Sequence, residues 1–182
     1  MNTRAIWIDG DLAGRYTFRE DHPFHPIRLR LTEALMRASG ALDDSAIAPT
    51  SDIAIAEEAI ARLHRADYIA AVKALGAVRP AGAEAANHAA AYGLDEDGDT
   101  PFFAGMHDAA TGIVAGSLAA ADAVMSGAAR HALHLGGGLH HAFPERAAGF
   151  CIYNDAAAAI DRIRRVYGAR VLYIDTDVHH GD

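Results

Sequence analysis

Two stretches of the chain gather side chains able to hold a metal ion or carry protons. The first is Ile174-Asp175-Thr176-Asp177-Val178-His179-His180-Gly181-Asp182, where carboxylates and imidazoles follow directly on the apolar run Val171–Ile174. If strand geometry continues past Ile174, its two-residue period turns Asp175, Asp177 and His179 to one face. A carboxylate beside an imidazole suits Zn2+, and suits Fe2+ as well. Polar groups in such number behind a core strand are costly to desolvate unless they bind something. The second stretch is His140-His141, behind Gly136-Gly137-Gly138. Glycines let the backbone turn sharply, and paired imidazoles titrating near neutral pH suit general acid–base work. A histidine pair alone is more often surface decoration. Its weight comes from the second cluster at a neighbouring strand end.

Other chemistries fit less well. The glycine run lacks the third glycine of a dinucleotide fingerprint, and no Gly-Lys-Ser/Thr follows it, so it is not a phosphate cradle. Cys151 is flanked by Phe150 and Ile152 and reads as a buried structural thiol rather than a nucleophile. Arg28 and Arg30 fall on a helix and read by default as a solvated face.

The elements that must carry these groups alternate along the chain. Arg4–Ile8 reads as a short buried strand, and Ile27, Leu31, Leu35 and Ala38 recur at the spacing of one helical face, with Gly40 as a stop. A second helix runs through the fifties and sixties, and Asp67 is placed to cap a third that ends near Gly76. Residues 77–106 read as connecting structure, followed by an alanine-rich helix from His107 to Ser126. Ala132–Leu135 reads as a strand, and Asn154 or Asp155 caps a helix through Tyr167 that Gly168 ends. Val171–Ile174 is the continuous apolar run of a strand buried on both faces. Strand, helix, strand implies an α/β fold with a parallel sheet, whose ligand sites lie beyond the carboxyl ends of the strands.

Composition limits the rest. The chain has 182 residues, is 51% hydrophobic and 22% charged, and carries a net charge of −8, which fits one globular domain. Its single cysteine excludes an internal disulfide and points to a reducing compartment. The N-terminus lacks an apolar signal core, and no run of about 18 apolar residues marks a membrane span. The acidic balance argues against a nucleic-acid backbone as partner. The expectation is a cytoplasmic domain with neither membrane nor nucleic acid as a partner.

On these residues the sequence resembles the histone deacetylase family, most closely its bacterial acetoin utilization branch. The matching blocks are His22-Pro-Phe-His-Pro-Ile-Arg-Leu-Arg-Leu-Thr32, Leu63-His-Arg-Ala-Asp-Tyr-Ile69, Asp99-Thr-Pro101, Gly136-Gly-Gly-Leu-His-His-Ala142, Gly149-Phe-Cys-Ile-Tyr-Asn-Asp155 and Val171 to Asp182. They lie in family order over nearly the whole chain. The resemblance implies an arginase/deacetylase-like fold, a parallel sheet with helices on both faces. It implies metal-assisted hydrolysis of acetyl-lysine, on a protein or a small acetylated amine. Asp177 and His179 would be zinc ligands, and His140 and His141 the proton-handling pair. Asp175 and Asp182 would orient those two histidines, and Asp175 would also share a structural K+ with the backbone carbonyls of Asp177 and His179.

Gly149 and Phe150 would wall an acyl-lysine tunnel, Asp99 would hold the substrate backbone at its rim, and Arg28 would lie near its inner end. Some relatives place at the position of Thr100 a cysteine able to pair with the one matching Cys151, a switch that Thr100 excludes here. The family's third zinc ligand and its oxyanion-stabilising tyrosine lie downstream of the Asp182 block, and none of the six tyrosines here takes that place. Residues 1–182 are therefore expected to be the N-terminal part of a single deacetylase domain, with weak zinc binding and little turnover. The alternatives are an acetylpolyamine deacetylase, a non-catalytic acyl-lysine-binding or vestigial protein, and an arginase-like binuclear manganese hydrolase.

Overall fold

The apolar run Ala5–Ile8 forms β1, the central strand of a three-stranded parallel sheet of order β2-β1-β3, with β2 at Ile47–Ala48 and β3 at His131–Leu133. Trp7 is the register point, opposite Ile47 on one side and Leu133 on the other. The computed structural model describes residues 5–9, 13–77, 83–95 and 98–179. The helices are α1 (Ile27–Ala38), α2 (Ile53–Leu63), α3 (Ala66–Ala77), α4 (Ala83–Ala91), α5 (Met106–Met125) and α6 (Asp155–Tyr167).

Strand alternation sends Ile6 and Ile8 to one face of β1, where Ala119, Ala120 and Ala123 of α5 pack on them. On the other face, Arg30 and Glu33 of α1 border a groove beside Trp7. Helices thus lie on both faces of a parallel α/β sheet. The main core joins α2, α3, α5 and α6 through Ile60, Tyr68, Val72, Ile113, Leu118 and Ala158. Small alanines on α5 and α6 suit that close packing, because they add helix propensity without bulk.

Several expectations change. Residues 77–106 are not only connecting structure, since α4 forms within them. Asp67 is not a cap residue but sits in the first turn of α3, its Oδ1 accepting the Tyr68 N–H. The face Ile27, Leu31 and Leu35 of α1 is exposed, and no residue of that helix is buried. Helix α5 is long and apolar enough to cross a membrane by length and composition, although its residues Ala109 to Ala115 are buried among neighbouring elements.

The largest difference lies at Val171–Ile174. The segment joins no strand among the described residues, and Leu172 and Ile174 are 83% and 71% exposed. An apolar run becomes a two-face-buried strand only where neighbouring strands and covering layers exist, and the described residues place none over it.

Candidate metal and proton-transfer site

The turn carrying His140 and His141 is built from the residues on either side of it. Ahead of it, the buried Asp155 carboxylate accepts the Gly138 N–H at 3.0 Å and the Leu139 N–H at 2.7 Å. Ser117 Oγ donates to the same carboxylate at 2.5 Å and lies 3.0 Å from His134 Nδ1. A carboxylate only accepts, so the Ser117 proton goes to Asp155, and His134 Nδ1 carries the proton it shares with Ser117. That direction is opposite to serine activation, so this Ser–His–Asp cluster is a support and not a nucleophilic triad. Burial holds the His134 pKa below the ordinary imidazole value, which keeps the ring neutral. Gly137 leaves the room required: a Cβ there would stand 2.5 Å from Asp155 Oδ2 and 2.8 Å from Ser117 Oγ.

Behind the turn, Asn154 caps α6 by accepting the Ala157 N–H, while its Nδ2 donates to the carbonyls of His140 and Ala142 at 3.0 and 3.4 Å. His64 lies between the Phe143 carbonyl, 2.9 Å from Nδ1, and the Asn154 N–H, 3.2 Å from Nε2. Those partners require the neutral Nδ1–H tautomer. Burial pushes the His64 pKa down accordingly.

The rings of His140 and His141 stand 3.9 Å apart, and His179 lies 5.9 Å beyond His141. Asp175 Oδ2 approaches His140 Nδ1 at 2.7 Å, off the line of a directed hydrogen bond, and accepts the Tyr173 hydroxyl at 2.7 Å. Asp175 Oδ1 accepts the Asp177 N–H, and Asp177 Oδ1 in turn accepts the His179 N–H. These are Asx-type bonds to the amide two residues on, not the alternation of a continuing strand. They still deliver Asp175, Asp177 and His179 to the histidine pair.

Those amides hold both carboxyls below the usual carboxylate range, helped at Asp175 by the Tyr173 hydroxyl and at Asp177 by the His179 ring. Asp177 Oδ1 and His179 Nδ1 face each other at 2.6 Å. Ligand atoms of His140, His141 and Asp177 lie within 4.8 Å of one another. Carboxylate and imidazole atoms converging in this way fit a borderline divalent cation such as Zn2+.

This constellation coincides with a wider match, in which residues 22–182 correspond to the histone deacetylase domain. The chain belongs to the histone deacetylase family. It is 53% identical over 98% of its length to the acetoin utilization protein AcuC of Bacillus subtilis (strain 168), covering 44% of that protein. It is 43% identical over 92% of its length to AcuC of Staphylococcus xylosus, covering 42%. Against AcuC of Staphylococcus aureus (strain Mu50 / ATCC 700699), identity is 39% over 100% of the chain and 45% of the relative. The chain therefore spans under half the length of these relatives.

The other residues expected at the site are Gly149, Phe150, Asp99, Arg28 and Asp182. Gly149 stands against His141, and Phe150 follows it in the chain. At φ +50°, Gly149 passes so close to His141 that a Cβ would meet its ring at 2.6 Å. Phe150 itself adopts a left-handed φ of 69°, a strained value for a side-chain-bearing residue. Its N–H donates to Thr100 Oγ1 and its carbonyl accepts the Tyr16 hydroxyl, so both flanks are fixed. Its ring then meets His22 and Phe24. Asp99 is exposed, and His22 Nε2 donates to its carbonyl at 3.2 Å. Arg28 stacks over Phe24 at 4.0 Å, which ties an otherwise solvated side chain to the aromatic group. Asp182, expected beside His141, lies outside the described residues, as does His180.

Cys151 is buried, and burial pushes its thiol up to about 12, so it is the inert structural group expected. Sequence reasoning missed the supporting roles of Tyr16, His64, Ser117 and Thr100. It also took Asn154 and Asp155 only as a helix cap. The available signal was the doubling of cap-type residues at one helix start, where a single residue suffices.

Proposed function

We propose that the chain carries the metal-binding and proton-transfer groups of a zinc-dependent amidase that removes acetyl groups from acetyl-lysine. The observation that carries this reading is that Asp177 stands with His140 and His141, their ligand atoms within 4.8 Å of one another, while His179 pairs with Asp177 at 2.6 Å. Asp177 and His179 would hold the ion, Zn2+ or Fe2+, with His140 and His141 within reach of Asp177. When bound, such an ion supplies Lewis-acid polarisation of the amide carbonyl and acidifies water near neutral pH.

The chain's own groups do the rest. One histidine of the pair takes a proton from the attacking water as its oxygen bonds to the acetyl carbon. The C–N bond then breaks, and a histidine returns a proton to the leaving lysine nitrogen, giving acetate and a free amine. Asp175 Oδ2, 2.7 Å from His140 Nδ1, orients that ring for the transfer. Gly149 and Phe150 line the approach of the neutral acyl chain, Asp99 holds the substrate backbone, and Arg28 lies along the exit for acetate. Asp182 is assigned to His141 in the same orienting role. Asp175 is also the side chain that would share a structural K+ with the carbonyls of Asp177 and His179.

Residues 1–182 alone are expected to bind Zn2+ weakly and turn over little, because a catalytic zinc takes three protein ligands and one open position. The test is acetate release by the natural gene product, purified from its source and loaded with Zn2+. It should hydrolyse acetyl-lysine peptides, lose activity to a chelator, and lose it in His140→Ala and Asp177→Ala. Faster release from acetylated polyamines would move the substrate class. No release from either would overturn the reading.

A further inference from the structure

Four backbone groups flanking His140 and His141 are held by one short segment, the start of α6. Asp155 takes the two N–H groups that lead into the pair, at Gly138 and Leu139. Asn154 donates to the carbonyls of His140 and Ala142, on the pair and just behind it. His64 extends the grip to the Phe143 carbonyl while holding the Asn154 N–H. Capping α6 requires only the Asn154 Oδ1 bond to Ala157. The Asp155 carboxylate and the Asn154 Nδ2 are in excess of that need, and both are spent on the turn.

We propose that Asn154 and Asp155, seated against His64, are positioning residues for the His140–His141 pair. Asp155 draws the entering amides from one side and Asn154 holds the departing carbonyls from the other, which fixes where both imidazoles stand. The inference rests on the proposed role of that pair in proton transfer. The physical logic is that a general base works only within hydrogen-bond reach of the proton it takes, so a slackened turn loses rate before it loses substrate.

Asn154→Asp separates this role from helix capping. Aspartate caps a helix as well as asparagine does, but it has no amide hydrogens for the His140 and Ala142 carbonyls. Asp155→Asn is the complementary variant, because its amide group must set a donor against one of the two N–H groups or against Ser117. Two readouts apply. The first is amide hydrogen exchange of Gly138, Leu139 and the residues of the turn in the 182-residue chain. The second is kcat and KM on an acetyl-lysine peptide in the natural gene product.

The expected result is faster exchange at Gly138 or Leu139 in Asp155→Asn, with α5 amides unchanged. In both variants kcat should fall roughly 10–100-fold, as for other groups that orient catalytic ligands, with KM within about twofold, because the substrate walls are untouched. Asn154→Asp should also keep the α6 cap, read as unchanged exchange at the Ala157 amide. Unchanged exchange at both amides in Asp155→Asn, or unchanged kcat in an active enzyme bearing Asn154→Asp, would overturn the proposal. A wild-type gene product without any turnover would sink the deacetylase reading instead, and the exchange result would still decide whether the segment holds the turn.

Discussion

Gly149 shows how little tolerance the site has at the scale of single residues. Its φ is +50° and the space where a Cβ would go is occupied by the His141 ring at 2.6 Å. Gly149→Ala therefore has to push His141 aside and strain the backbone, at a cost of about 1–3 kcal/mol. Chemical denaturation should show that loss, and activity in the natural gene product should fall with it; an alanine variant of unchanged stability and rate would contradict the geometry. That Asp175, Asp177, His179, His140 and His141 lie near one another was legible from type and spacing. Their route to one another was not. Alternation along a strand predicts a shared face, whereas the carboxylates fold back on the amides two residues ahead. Side-chain-to-backbone bonds of this kind compete with strand geometry wherever Asp is followed by exposed chain.

Among the elements, α6 is the one whose ends were readable, with Asn154 at its start and Gly168 in left-handed conformation at its close. Asn154→Ala should cost about 1 kcal/mol through the lost cap alone, measurable as a lower denaturation midpoint. The histidines between elements give a pH dependence. Burial lowers the pKa of His64, His107 and His134 from the ordinary 6.5. The unfolded chain then binds protons more readily than the folded one, so stability is full above pH 6.5 and declines as pH falls from there through the lower folded values. The depressed carboxyls of Asp175 and Asp177 lose their contribution only as pH falls below the ordinary 3.8. Urea unfolding at pH 7.5, 6.5 and 5.5 should show a decline below 6.5, shallower in His64→Gln. A flat or rising profile would contradict the neutral tautomer assigned to His64.

For the whole molecule, the parallel sheet and its helices were legible because β1 and α5 announce themselves by apolar runs and small-residue packing. Two features were not legible. The two-residue strand β2 is too short for any periodicity, and the exposure of Val171–Ile174 depends on which layers cover it, a property no local pattern contains. Leu172, Ile174 and Val178 stand 83%, 71% and 92% exposed, a run of apolar surface unusual for a free monomer. The 182-residue chain should therefore associate with rising concentration, and Leu172→Lys with Ile174→Lys should reduce that in sedimentation experiments. Concentration-independent behaviour of the unmodified chain would show that the surface is covered.

The most direct test of the central claim is a calorimetric Zn2+ titration of the 182-residue chain and its Asp177→Asn and His179→Ala variants. The site described here predicts one weakly bound ion per chain, lost in both variants. Zinc binding that survives both substitutions, or two ions per chain, would contradict it.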